Sequence, residues 1–142
     1  MDTLSLPVTS LAAILNGAIL LALTVAVIRD RRAGGVVMGD DGNRQLAKRI
    51  RGQANAAEQM PIALILLALS EAQGANGWWL ALVALVFTAG RAAHGAYFAI
   101  PGVHWTARFW GMLATLAAQL LLLLTLGVTL LLWAAPGPNL YD

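Results

Sequence analysis

Residues 51–69 read RGQANAAEQMPIALILLAL, and this stretch decides in which solvent the chain folds. From Ala54 onward the run is apolar except at Asn55, Glu58 and Gln59. A carboxylate among Ala, Met, Pro and Ile is costly in lipid, so Glu58 must be paired, protonated or turned toward a polar cavity. Arg51, Asn55 and Glu58 stand at i, i+4 and i+7, within roughly 60° of one another on an α-helix. Arg44 and Lys48 extend the same stripe. A helix over about 44–73 would be ~45 Å long, more than a hydrocarbon core, so its basic end projects beyond the bilayer. Pro61, three residues after Glu58, removes a backbone donor and predicts a kink that frees a carbonyl near the stripe.

Three further apolar stretches flank this one, at about Leu6 to Ile28, Trp78 to Ile100 and Phe109 to Trp133, each near the ~20 residues that cross a hydrocarbon core. The 142 residues are 59% hydrophobic and 11% charged, which is more apolar surface than a small soluble core can hide. The expected fold is therefore an all-α membrane protein: one four-transmembrane-helix bundle over 1–142, with helices at about 6–28, 44–73, 78–99 and 106–134. The first stretch is read as a retained span and not as a signal peptide, because its leader carries Asp2 in place of basic residues and no small-residue cleavage site precedes Arg29. A pI near 9.7 could point to nucleic acid. With a net charge of only +2 and the cations beside apolar spans, no nucleic-acid partner is expected. The absence of cysteine leaves neither disulfides nor thiolate metal sites, so any thiol chemistry must use a substrate's thiol.

Charge sets the topology. Of the nine Lys and Arg residues, Arg29, Arg31, Arg32, Arg44, Lys48, Arg49 and Arg51 lie between the first two spans, and Arg91 and Arg108 near the connection between the last two. The N-terminus, the 74–77 turn and the C-terminal tail carry none, so the basic side is read as cytoplasmic and both termini as non-cytoplasmic. Gly74-Ala75-Asn76-Gly77 predicts a tight hairpin between helices two and three, and Trp78, Trp79 and Trp133 match an aromatic belt at the outer interface. Pro136-Gly137-Pro138 predicts an irregular tail. The glycine-rich loop ending Asp40-Asp41-Gly42-Asn43 lacks the alternating ligands of a calcium loop and reads as a turn that caps the next helix. Glu71, at the outer end of helix two, reads as solvated.

Helix three adds Arg91 and His94 at i and i+3, with Tyr97 and Phe98 a turn further, and Arg108 opens helix four. Each has a plain structural alternative: Glu58 could form an ion pair with Arg51 or Arg91, and Arg108 could be a snorkelling interfacial arginine. Thr115 and Gln119, a turn apart, suit helix–helix hydrogen bonding. His104 is isolated, and two histidines do not make a metal site. Three helices nonetheless bring polar groups to one depth near the cytoplasmic face, which a pocket for an anionic ligand explains most economically.

The spacing Arg51-x-x-x-Asn55-x-x-Glu58-x-x-Pro61, then Gly90-Arg91-x-x-His94-x-x-Tyr97 and Arg108, resembles the MAPEG family, the membrane-associated proteins in eicosanoid and glutathione metabolism. The loop Gly39-Asp40-Asp41-Gly42-Asn43 and the run Arg108-Phe109-Trp110-Gly111-Met112 look most like its small bacterial branch, implying a multi-pass protein of a bacterial inner membrane. The resemblance implies a homotrimer with helix two at the threefold centre and glutathione bound between subunits as co-substrate. Arg51 would hold a glutathione carboxylate, Asn55 would hydrogen-bond its backbone and Glu58 would pair with its ammonium group. Arg91 and Tyr97 would contact the peptide, with His94 in the same binding set, and Arg108 would stabilise the thiolate as the catalytic residue. Ala54 where prostaglandin-synthase-like members carry a second arginine, Gln59 where an aromatic is common and His94 in place of a tyrosine argue against a specialised eicosanoid synthase.

The residue types suit that ligand. Glutathione carries two carboxylates and one ammonium, which several arginines and one glutamate complement, and a guanidinium can grip a carboxylate with two hydrogen bonds. A guanidinium beside a thiol of free pKa about 8.5 favours the nucleophilic thiolate. The leading expectation is a glutathione-dependent membrane enzyme, a transferase or hydroperoxide reductase, whose lipophilic substrates arrive through the surrounding lipid. The competing expectation is a non-catalytic trimer of the same fold, an accessory subunit or a binder of another anionic ligand. A small transporter would need inverted repeats or paired broken helices, and the chain has neither. The topology is directly testable: a reporter fused after Asp142 should be detected outside the cytoplasm and one inserted at Gly39 inside it, and the reverse pattern would overturn the charge reading.

Overall fold

The computed structural model describes residues 5–134, and among them every regular element is an α-helix: α1 (Pro7–Gly34), α2 (Arg44–Ala72), α3 (Gly77–Ala99) and α4 (Trp105–Ala134). The tail at Pro136, Gly137 and Pro138 and both chain ends lie outside the described residues.

Local chemistry sets the boundaries. Pro7 stands in the first turn of α1, where a missing N–H has no intrahelical use. Gly35 ends α1 at φ 66°, a left-handed geometry that returns its N–H to the carbonyls of Arg31 and Arg32. α1 thus continues past Ile28, where the apolar stretch stops, and carries Arg29, Arg31 and Arg32 with it. Arginine is a good helix former and is favoured at the negative end of the helix dipole. Asn43 caps α2, its Oδ1 accepting the N–H groups of Gln45 at 3.0 Å and Leu46 at 3.1 Å. Asn76 caps α3 in the same way through the N–H of Trp79 at 3.0 Å. α2 runs through Pro61 without interruption.

Three helices, α1, α3 and α4, are long and apolar enough to cross a membrane. α2 falls short of that expectation because its basic first turns and Glu58 dilute the apolar run. It packs against all three others, so protein and not only lipid surrounds its polar side chains. α3 packs most extensively on α4, while α1 and α4 share no contact among the described residues and flank the central α2–α3 hairpin. The core is small and tight, built on Leu67 of α2, Leu80 and Val83 of α3, and Ala118 and Leu122 of α4. Outside it the surface is apolar: Leu131 is 73% exposed and Ile14 69%. Water would not tolerate so continuous an apolar surface, whereas acyl chains solvate it.

Several polar groups on the helices bond to neighbouring helices. Asn16, fully buried in α1, donates to Thr88 Oγ1 on α3 at 2.8 Å, an interhelical hydrogen bond of the kind that holds membrane helices together. Gln119 on α4 donates to the Gln59 carbonyl on α2 at 3.0 Å, whereas Thr115 bonds back to Gly111 of its own helix at 2.8 Å.

Glu71 is not left to solvent, which corrects the sequence reading. The first turn of α1 has no capping side chain of its own. Glu71 Oε1 accepts the Val8 N–H at 2.9 Å, and Oε2 accepts the Thr9 N–H at 2.8 Å and hydroxyl at 2.7 Å. A carboxylate at the positive end of a helix is doubly favoured, as acceptor for orphan donors and as counter-charge to the dipole. Glu71→Ala should therefore lower the stability of the detergent-solubilised protein by about 1–2 kcal/mol, the loss typical of a helix cap. An unchanged unfolding transition would show that the cap contributes nothing.

Candidate functional site

At the basic end of the bundle, α2, α3 and α4 line an open-sided cavity of about 590 Å³. Its polar wall comes from Arg51, Asn55 and Glu58 on α2, with Ala54 between them, and from His94 on α3 and Arg108 on α4. Phe98 of α3 and Trp105, Phe109, Met112, Leu113 and Leu116 of α4 form its apolar wall. The α4 residues recur at the three- and four-residue steps that put side chains on one helix face. The hydrogen bond from Gln119 to the Gln59 carbonyl joins α4 to α2 within a turn of Leu116 and Glu58.

Glycines set this geometry. A Cβ on Gly111 would lie 2.6 Å from the Gly90 carbonyl oxygen and 2.6 Å from the His94 backbone nitrogen, so α4 can cross α3 this closely only where both helices lack side chains. Gly52 plays the same part on α2, where any Cβ would collide with the Phe98 side chain. Phe98 is thereby pressed onto α2, and its ring lies 5.0 Å from the His94 ring, centroid to centroid.

Five of the seven residues singled out from sequence line the cavity: Arg51, Asn55, Glu58, His94 and Arg108. Arg91 and Tyr97 do not. Arg91 is fully buried behind the wall, where its Nη2 donates to Asn55 Oδ1 at 3.1 Å and faces His94 Nδ1 at 3.5 Å. Tyr97 packs edge-on against Phe98 with ring centroids 5.0 Å apart, its ring under the Lys48 ammonium at 3.9 Å and 6.0 Å from the Arg108 guanidinium carbon. The structural ion-pair reading of Glu58 does not hold either: among the described residues Glu58 forms no hydrogen bond or ion pair. The ion pair present joins Arg49 of α2 to Asp30 of α1. Arg108 likewise makes no hydrogen bond or ion pair among the described residues, and its guanidinium carbon stands 5.6 Å from the Phe98 ring. Among the described residues the His104 ring bonds locally, to Thr106 in the first turn of α4. No group of three or more potential metal ligands occurs among the described residues.

What the cavity offers chemically is two guanidiniums and one carboxylate around a volume whose far wall is aromatic and aliphatic. An elongated ligand with several anionic groups, one cationic group and an apolar attachment complements it. Sequence reasoning missed the apolar half. Trp105, Phe109, Leu113 and Leu116 form a stripe that looks the same in sequence whether it faces lipid or a cavity, and only the crossing of α4 over α3 and α2 separates the two.

Residues 9–128 match the MAPEG family. The inner membrane protein YecN of Escherichia coli strain K12 and its counterpart in strain O6:H1 are each 37% identical to this chain over 71 residues, 50% of this chain and 54% of theirs. The chain thus spans about half the length of the curated relatives it matches. With four helices in a membrane bundle and a family match over most of its length, the chain belongs to the MAPEG family.

Proposed function

We propose that the cavity binds glutathione and that the protein is a glutathione-dependent membrane enzyme, a transferase or hydroperoxide reductase acting on lipophilic electrophiles. One observation carries the reading: Arg51, Glu58 and Arg108, from two helices far apart in sequence, meet an aromatic and aliphatic wall around one cavity of about 590 Å³. The family includes glutathione-dependent enzymes, which agrees with it. Arg51 would take a carboxylate, Glu58 the ammonium group and the Asn55 amide the peptide, leaving the thiol toward Arg108 and the apolar wall of α4. Glutathione would supply the nucleophilic or reducing sulfur that a cysteine-free chain lacks.

The reading includes a homotrimer. Arg51 and Glu58 are exposed, and Ile62, Ile65 and Leu69 continue the same face of α2 at 49%, 54% and 45% exposure. A helix face that is charged at one end and apolar along the rest suits a neighbouring subunit better than lipid. An inner-membrane location with both termini outside the cytoplasm is part of the proposal, on the one-sided distribution of Lys and Arg and the similarity to an inner membrane protein of Escherichia coli.

Calorimetric titration of glutathione into the purified protein in detergent tests binding, and Glu58→Gln should weaken it by about 1–3 kcal/mol while leaving the fold intact. Loss of the folded state without ligand would return Glu58 to a structural role.

Arg108 separates catalysis from binding. If its guanidinium stabilises the thiolate, Arg108→Ala should slow conjugation of a generic aromatic electrophile at neutral pH with a smaller effect on glutathione affinity. Because the bound thiol's pKa would rise in the variant, the defect should shrink as the pH climbs from about 6 to about 9, a range bracketing the free thiol's pKa. Parallel pH profiles would discard the catalytic role, and an inactive wild type would favour the non-catalytic trimer.

A further inference from the structure

Among the described residues Arg91 is the largest fully buried side chain, and no carboxylate lies within ion-pairing distance of it. Its Nε and Nη1 are buried without a partner. A buried cation with unmet donors lowers stability, so a fold that keeps one beside a cavity needs a reason for it other than stability. The reason lies in what Nη2 touches. A guanidinium can only donate. The Asn55 atom 3.1 Å away must therefore be the amide oxygen, which turns the Asn55 NH₂ away from Arg91. His94 Nδ1, 3.5 Å from the same nitrogen, is placed to accept from it as the unprotonated ring nitrogen, an assignment that puts the ring proton on Nε2. Asn55 and His94 both line the cavity, whereas Arg91 does not. Packing holds the ring in place, with Phe98 against it and Gly111 of α4 on the backbone of His94.

We infer that Arg91 is a positioning residue, acting from behind the wall to fix the Asn55 amide and the His94 tautomer so that both present N–H donors to the cavity. The polar wall then consists of donors, from Arg51, Asn55, His94 and Arg108, with Glu58 its one acceptor. Such a wall accepts anionic and carbonyl oxygens and rejects cations everywhere but at Glu58. The inference departs from a direct contact between Arg91 and ligand, and it rests on the glutathione reading only for the ligand used in the affinity arm of its test.

Nitrogen NMR of histidine-labelled protein without ligand tests the first half. There are two histidines, so His104→Asn assigns the signals. At neutral pH, His94 should show the neutral ring protonated at Nε2. A proton on Nδ1, or a doubly protonated ring, would overturn the inference. Arg91→Met should abolish the tautomer preference and weaken glutathione binding on the order of tenfold, the effect of losing charge-assisted or well-placed hydrogen bonds, and Arg91→Lys should restore part of both. Should Arg91→Met fail to fold, Asn55→Asp decides. Its carboxylate still accepts from Arg91 but has no N–H to offer, so the His94 tautomer should persist while affinity falls by a similar factor. Undiminished affinity in that variant would overturn the donor role of Asn55. A wild type that binds no glutathione but shows the Nε2 proton would sink the proposed ligand and leave the positioning role standing.

Discussion

At Gly90 and Gly111 the backbones of α3 and α4 approach so closely that a methyl group on either would overlap the other helix. Membrane helices gain little from hiding apolar side chains from one another, because lipid is as apolar as leucine. Close backbone packing and hydrogen bonds must supply the cohesion instead. This crossing supplies the first, and much of the site depends on it. It sets the depth of His94 and Arg91, which share the buried face of α3 with Gly90, and it swings the aromatic and aliphatic face of α4 over the polar face of α2. Filling either glycine would force the helices apart and open the cavity along its length.

The second source of cohesion is a set of polar contacts spread along the bundle. Glu71 caps α1 from the end of α2, Asn16 joins α1 to Thr88 of α3, Gln119 ties α4 to α2, and Arg49 pairs with Asp30 across α2 and α1. The Asn16 and Gln119 contacts link helices that the chain does not connect directly, Glu71 clamps the α1–α2 hairpin at its open end, and the Arg49–Asp30 pair braces the same hairpin beside its loop. In lipid, where unmet donors are expensive, these few contacts choose one arrangement among the many that apolar packing alone would allow. Arg91 differs from these as a fully buried cation with two unmet donors and no ion pair among the described residues, and it stands beside the cavity.

Much of this was legible in the residues. The apolar stretches located the helices, the glycine–asparagine turn the hairpin, and the i, i+4, i+7 spacing of Arg51, Asn55 and Glu58 the polar face of α2, because helical periodicity is a local property. Spacing could also pair Arg91 with His94 on α3. It could not tell that Arg91 points behind the wall and His94 into it. That depends on which way α3 is rotated against α2, and the contact of Phe98 with Gly52 sets the rotation.

Glu71 makes the same point from the other end of the bundle. Alone on its helix it reads as a solvated carboxylate, since its partners lie more than sixty residues away in a turn whose own residues offer no cap. The sequence by itself determined the number of helices, their polar faces and the one-sided distribution of cations, all of which follow from residues within a few turns of one another. Only the tertiary structure decided which polar groups face the cavity, which face each other, and that an apolar stripe on α4 completes the site. A helix reports its own faces, whereas the partner of each face is settled by close packing between segments that the chain keeps far apart.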